Sequence, residues 1–282
     1  MKTFNINLKQ EYEKLAGGFL DCMLVDWLGL EIAGYETWKR PAVIVVPGGG
    51  YGCVCKDREG EAIALEFLSR GFHSFVLTYE VGGENGYPYP EQLLELSAAV
   101  DYVKKHAEEF HVNKEEVFVV GFSAGGHLTA NLAVEYENVS EKYGEVLDCK
   151  PTAVGLAYPV ISSKHGHMGS YMNLLCGYSD EAKEELLKTL DLDEAVTKNT
   201  APAFIWSTAK DSVVPPDNAM RFALALDAKG VDYELHVYPR GEHGLATAKH
   251  EINSGLDEVL QKAMRWLDDC ASFFRIYCEE KV

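Results

Sequence analysis

The stretch Val117–Tyr136, VFVVGFSAGGHLTANLAVEY, places a serine inside Gly121-Phe122-Ser123-Ala124-Gly125, between an apolar β-branched run and an amphipathic one. A serine at a strand-to-helix corner is forced into a strained backbone conformation, and glycines on both sides remove side chains that would collide there. Its hydroxyl is then pushed out above the sheet, at the N-terminus of the following helix. That makes Ser123 a candidate nucleophile, although a turn serine that only caps its helix would use the same hydroxyl.

A serine hydroxyl is a poor nucleophile without a base in reach and an acid to orient that base, and the chain order at this kind of corner is serine, acid, histidine. The segment TAKDSVVPPDNA supplies Asp211 after a predicted strand, and Asp217 just past Pro215-Pro216. Asp217 falls inside the next helix, where a first-turn carboxylate complements the dipole, so Asp211 is the favoured acid. His243, between two glycines on the loop after the last predicted strand, is the favoured base, with His250 second. His127 points back along its helix and reads as a packed or hydrogen-bonded residue. Donors for a developing oxyanion are available in Pro47-Gly48-Gly49-Gly50-Tyr51-Gly52, together with the N–H of Ala124. The same run lacks the Lys-Ser/Thr pair and the G-x-G-x-x-G context of a phosphate loop.

Two further groupings could bind a metal, and neither has the right spacing. Cys53-Val54-Cys55 is tighter than usual ligand spacing, and His165-Gly166-His167 lacks an obvious third ligand. The seven cysteines are odd in number and scattered, as expected of reduced thiols in a cytoplasm.

Short apolar runs at Ala42–Pro47, His73–Tyr79, Val117–Gly121, Ala153–Tyr158, Ala203–Thr208 and Glu234–Tyr238 have the character of buried parallel strands. Between and after them, helical spacing covers Gly60–Arg70, Pro90–Glu109, Gly125–Glu137, Pro216–Lys229 and Asp257–Tyr277. This alternation predicts an α/β fold. Weak strand signals at Thr3–Leu8 and Leu28–Ala33 predict antiparallel edge strands. Residues 159–200 exceed an ordinary crossover and read as a small cap-like insert after the sixth strand, with a loop over Ile161–Gly169 and an acidic helix over Asp180–Leu190. With no linker or repeat, residues 1–282 are expected to form a single domain.

Composition narrows the partners. Twenty-six Lys and Arg against 44 Asp and Glu give a net charge of −18, which repels a phosphate backbone and excludes general nucleic-acid binding. No apolar window is long enough to span a membrane, and the N-terminus lacks the apolar stretch of a secretion signal, so a cytoplasmic protein is expected. The sequence leaves the oligomeric state open, a homo-oligomer included.

Taken in order, PGGGY, YPYPEQLLELSAAVDYVKKHAEEFHV, GFSAGGHL, GSYMNLLCG, DSVVPPDNA and GEHG resemble the α/β-hydrolase esterases, and within them the acetyl-xylan-esterase-like and feruloyl-esterase-like carbohydrate esterases. The match spans about residues 40–250. The resemblance implies a mostly parallel eight-stranded sheet flanked by helices, no cofactor or metal, and a serine carboxylesterase acting on short acyl esters such as acetylated oligosaccharides. It implies Ser123, Asp211 and His243 as the triad and Gly49, Gly50 and Ala124 as the oxyanion hole. Pro47 stands where many related lipases and esterases have histidine. An arylformamidase or oligopeptidase-like amide hydrolase is the alternative within this chemistry, and a non-catalytic binding protein is the alternative outside it. Selectivity is expected from the insert, with Tyr171, Met172, Leu174 and Leu175 walling a shallow pocket that Tyr51 and Trp206 approach from neighbouring elements. Burial of Leu174 and Leu175 against the body is the competing expectation for that loop.

Overall fold

The computed structural model describes residues 1–26, 39–83, 86–144, 147–253 and 258–279. Eight strands, β1 (Lys2–Asn7), β2 (Phe19–Leu24), β3 (Arg40–Val46), β4 (His73–Thr78), β5 (Val112–Phe122), β6 (Val154–Ala157), β7 (Ala203–Thr208) and β8 (Tyr233–Tyr238), form one sheet in the order β1-β2-β4-β3-β5-β6-β7-β8. The pairs β1/β2 and β2/β4 are antiparallel, and all others are parallel. The sheet is therefore mostly parallel with an antiparallel edge. Leu28–Ala33, expected as the second edge strand, lies outside the described residues, and the strand paired with β1 is Phe19–Leu24.

The central strands are apolar on both faces because each face meets its own core. Along β3, Ala42, Ile44 and Val46 enter one apolar cluster while Val43 and Val45 enter the other. β5 repeats the division, with Val117 and Val119 on the first side and Phe118, Val120 and Phe122 on the second. The first cluster is closed by helices Glu91–Lys105, Ala124–Tyr143 and Asp217–Lys229, which contribute Leu96, Leu132 and Phe222 among others. The second is closed by helices Glu61–Ser69 and Trp266–Arg275. There Trp266 stacks on Trp206, with ring centroids 5.3 Å apart, and meets Phe122 edge-on.

Three of the sequence-derived helices recur with modest changes in their bounds, Pro90–Glu109 is divided at His106, and the helix expected over Asp257–Tyr277 is instead a 3-10 helix over Glu258–Arg265 followed by an α-helix over Trp266–Arg275. Pro90 and Pro216 stand immediately before their helices rather than inside them, as residues that cannot donate to a preceding turn. The segment between β6 and β7 holds helices Met168–Leu174 and Asp180–Leu190 and the short turn Leu192–Ala195. Met168–Leu174 is the departure from expectation, since only a loop up to Gly169 was legible there.

Buried polar side chains tie this segment to the body. Asn218 Oδ1 accepts from the N–H groups of Ile161 and Ser162, and its Nδ2 donates to His165 O. Asp191 Oδ1 accepts from Ser163 N at 2.6 Å. His127, fully buried, links two layers: Tyr51 Oη lies 2.9 Å from Nδ1 and Leu190 O lies 3.2 Å from Nε2. A carbonyl can only accept, so Nε2 carries the proton and Nδ1 accepts from the tyrosine. His127 thus occupies the packed, hydrogen-bonded role expected of it.

Burial pushes the His127 imidazole down to about 4 and that of His73 likewise to about 4. In each case the unfolded chain takes up a proton that the folded chain refuses. Stability from these groups is complete above the unfolded value of about 6.5 and declines as pH falls from there towards 4. Urea midpoints measured from pH 7 to pH 4.5 should fall for the wild type, and His127→Gln should flatten that decline while lowering stability at pH 7. An acid decline as steep in the variant as in the wild type would show that His127 is not one of its sources.

Candidate active site

Strand β5 ends at Phe122, and Ser123 follows with φ 53° and ψ −115°. This is a disfavoured conformation for a residue with a Cβ, and the surroundings fix it: Ser123 N donates to Ala157 O, while its carbonyl accepts from His127 N and Val160 N. The flanking glycines are required by contact. A Cβ on Gly121 would lie 2.2 Å from Gly125 O, and one on Gly125 would lie 2.2 Å from Val46 O. The parallel register that pairs Val46 with Gly121 therefore seats the Pro47–Gly50 loop directly beside the serine.

The other two polar partners arrive on loops after β7 and β8, at the same edge of the sheet. His243 Nε2 lies 2.8 Å from Ser123 Oγ, and His243 Nδ1 lies 2.7 Å from Asp211 Oδ2. Asp211 Oδ1 accepts from the N–H groups of Val213 and Val214, so both carboxylate oxygens are engaged. With Nδ1 donating to the carboxylate, Nε2 is left unprotonated to receive the serine proton. Asp217 instead pairs with His165 and Arg221 at the start of its helix, and His250 is exposed away from the cleft.

Ser123 and His243 open into a cleft of about 640 Å³, also lined by Gly49, Gly50, Arg58, Glu59, His167 and Asn173 among others. The N–H groups of Gly49, Gly50 and Ala124 take no partner among the described residues. Ala124 is the first residue of the helix after Ser123, at the positive end of its dipole. Donors left unpaired around a nucleophile are what a developing oxyanion needs.

The side chains expected to wall the pocket lie elsewhere. Tyr51 and Tyr171 are buried, each with its ring edge-on to His127. Trp206 alternates along β7 into the second core against Trp266. Met172 is half exposed and does not line the cleft. Helical rather than loop geometry at Met168–Leu174 is the reason. Residues 167, 170 and 173 share the face turned to the cleft, and residues 171 and 174 share the face turned to the core. Leu174 and Leu175 are buried, as the competing expectation had it.

Arg58, Glu59, Ser170 and Asn173 escaped the sequence reading, and His167 entered it only as a member of the His165-Gly166-His167 pair. The only signal for the first two was the charged run Lys56-Asp57-Arg58-Glu59 three residues past the Gly-rich loop, where a solvated turn would be unremarkable. Glu59 is in fact buried, with Oε2 accepting from Gly48 N at 2.8 Å and Oε1 from Tyr158 Oη at 2.7 Å. Burial raises its carboxyl above the usual range, and these two hydrogen bonds oppose that rise. Asn173 Nδ2 donates to Gly50 O, tying the helix of the β6–β7 segment to the Gly-rich loop.

His167 Nδ1 lies 3.2 Å from Ser170 Oγ, and among the described residues no group of three His, Cys, Asp or Glu side chains could hold a metal ion. All seven cysteines are free thiols. No helix among the described residues is long and apolar enough to cross a membrane.

Comparison with known proteins gives the family and the fold. The BD-FAE family profile matches residues 30–226, and that of the dienelactone hydrolase family matches residues 187–278. The chain is 39% identical over 221 residues to endo-1,4-beta-xylanase B of Butyrivibrio fibrisolvens, covering 77% of this chain and 34% of that protein. It is 28% identical over 242 residues to an acetylxylan esterase of Xylanibacter ruminicola, covering 82% and 46% respectively. The chain thus spans a third to a half of the length of these relatives. Among solved structures, an acetyl ester-xyloside bifunctional hydrolase from Caldicellulosiruptor lactoaceticus superimposes with a TM-score of 0.80 at 30% identity, over 97% of this chain and 96% of that one. A carboxylesterase from Lactobacillus plantarum superimposes with a TM-score of 0.82 at 25% identity over the whole of both chains. With its serine corner, its eight-stranded sheet and a profile match over most of its length, the chain belongs to the BD-FAE family and has the α/β-hydrolase fold.

Proposed function

We propose that this chain is a serine carboxylesterase that removes short acyl groups, acetyl above all, from carbohydrate fragments. The observation that carries the proposal is the continuous relay Ser123–His243–Asp211 at 2.8 and 2.7 Å, opening into a cleft with unpaired backbone donors. His243 takes the Ser123 proton as Oγ attacks the ester carbonyl. The N–H groups of Gly49, Gly50 and Ala124 receive the negative charge of the tetrahedral intermediate. The protonated His243 then gives its proton to the leaving alcohol, and a water activated by the same imidazole releases the acyl group from Ser123. Asp211 holds the ring in the productive tautomer throughout.

The substrate class rests on the lining and on the relatives. His167, Ser170, Asn173 and Arg58 present donors and acceptors suited to sugar hydroxyls, and Val213 is the one large apolar side chain among the lining residues described. The related proteins include an acetylxylan esterase and an acetyl ester-xyloside hydrolase. A wall with one large apolar side chain offers a long acyl chain few partners, and each methylene left in water forgoes about 0.8 kcal/mol.

Ser123→Ala should lower kcat on p-nitrophenyl acetate by about 10³-fold or more with the fold intact by circular dichroism, and Asp211→Asn should be severe but leave more residual turnover. A Ser123→Ala enzyme retaining about a tenth of wild-type kcat would overturn the assignment. In a substrate series, acetyl and propionyl esters should be turned over faster than octanoyl esters; the reverse order would refute the short-acyl reading. His167→Ala should raise KM for an acetylated xylo-oligosaccharide by about twofold to tenfold, the worth of one ordinary hydrogen bond, while sparing p-nitrophenyl acetate. Equal effects on the two substrates would remove His167 from sugar recognition.

A further inference from the structure

We infer that Glu59 is a positioning residue of the active site, one carboxylate that sets the Gly-rich loop and the loop of the base in register with each other. The inference rests on the esterase reading above and goes beyond its triad. Glu59 lies on the short helix Lys56–Glu59 and lines the cleft, yet it is almost wholly buried. Its Oε2 accepts from Gly48 N, the residue before the two glycines whose N–H groups face the oxyanion. Gly48 has no room to move: a Cβ there would lie 2.7 Å from Glu59 Oε2, 2.7 Å from Phe122 O and 3.0 Å from Ser123 Cβ.

The other oxygen reaches the base. Glu59 Oε1 accepts from Tyr158 Oη, and Tyr158 Oη in turn accepts from Ala246 N at 3.0 Å. Ala246 shares the loop of His243 and has φ 50°, and its carbonyl accepts from Trp266 Nε1 at 3.0 Å. The Tyr158 ring also meets the His243 ring edge-on, with centroids 4.9 Å apart. The chain Gly48–Glu59–Tyr158–Ala246 therefore spans from beneath the oxyanion donors to beneath the base.

Counting protons fixes the ionisation that this arrangement uses. Tyr158 Oη receives the Ala246 proton, so its own hydrogen points at Glu59, and Gly48 points at the second oxygen. Both carboxylate oxygens are acceptors, and no acceptor among the described residues stands ready for a carboxylic acid proton. A fixed anion near His243 favours the imidazolium that forms during acyl transfer, as Asp211 does from the other side. The other titratable groups around His243 and Glu59 are Arg58, whose Nη2 donates to Gly244 O, the Tyr79 and Tyr158 hydroxyls, the Cys53 and Cys55 thiols and, across the cleft, His167.

Glu59→Gln keeps the volume but replaces one acceptor by a donor, leaving either Gly48 N–H or the Tyr158 proton without a partner. Tyr158→Phe cuts the arm to the base loop and keeps the charge. Both would be measured on p-nitrophenyl acetate from pH 5 to 8, with turnover expressed per serine labelled by a fluorophosphonate so that unfolded enzyme is not counted. Glu59→Gln should lower kcat per labelled site by about tenfold to a hundredfold with KM little changed, the scale of a displaced catalytic group. The acid limb of its kcat/KM profile should move to lower pH, because the anion that favoured protonated His243 is gone. Tyr158→Phe should lower kcat per labelled site by a smaller factor and leave the acid limb in place.

Wild-type turnover per labelled site and an unmoved acid limb in Glu59→Gln would overturn the inference and leave the esterase reading standing. If Glu59→Gln does not fold, wild-type turnover per labelled site in Tyr158→Phe would overturn it equally. A wild-type chain that neither hydrolyses the ester nor labels at Ser123 would overturn the esterase reading, and this inference with it.

Discussion

The corner at Ser123 is a close contact between three pieces of backbone. Strand β5 must turn into its helix while β3 passes at van der Waals distance, and the carbonyls of Gly125 and Val46 lie where side chains on Gly121 and Gly125 would otherwise be. A backbone held at φ 53° and ψ −115° persists only where its surroundings over-determine it. Three hydrogen bonds and two glycines provide that here. Because the corner is closed this tightly, Oγ can project only upward, and the loop after β3 is seated beside it by strand pairing.

Around this corner the parallel strands act as a ruler. β3, β5, β7 and β8 each deliver one loop to the same edge, so the Gly-rich donors, the serine, the carboxylate and the imidazole converge without depending on any long flexible segment. The central strands of that sheet, β3, β5, β6 and β7, are buried on both faces, which makes them costly to displace. Each of these side chains is thus held by a strand end, and the central strands are held by two cores.

The charge of the chain is organised along the same lines. A net charge of −18 is tolerated because most carboxylates meet water, and the buried ones each meet donors. Asp211 accepts from two backbone N–H groups and from His243, Asp191 from the Ser162 hydroxyl and the Ser163 N–H, and Glu59 from Gly48 and Tyr158. In each case the buried anion joins segments far apart in sequence. These three buried carboxylates join separate segments, and two of them, Asp211 and Glu59, sit beside the cleft that Ser123 opens into.

The sequence by itself determined whatever follows from local spacing. Alternation of short apolar runs with helical ones marks six parallel strands and their crossovers, and the glycines and serine of 121–125 carry the corner chemistry in their own order. Asp211 and His243 were legible as candidates because each falls on the loop that follows a strand, and the structure brings both to Ser123. Only the tertiary structure decided what lines the cleft. Tyr171 and Met172 look like pocket residues in a loop, but the helix Met168–Leu174 turns them away and turns His167, Ser170 and Asn173 inward, and a segment of so few residues has too little periodicity to declare its face. Trp206 and Tyr51 were drawn into the core by packing partners distant in sequence. Glu59 looks like one more charge on an acidic surface. Its burial depends on Gly48, Tyr158 and the Ala246 loop coming together, and that meeting of four distant segments is written in no local pattern.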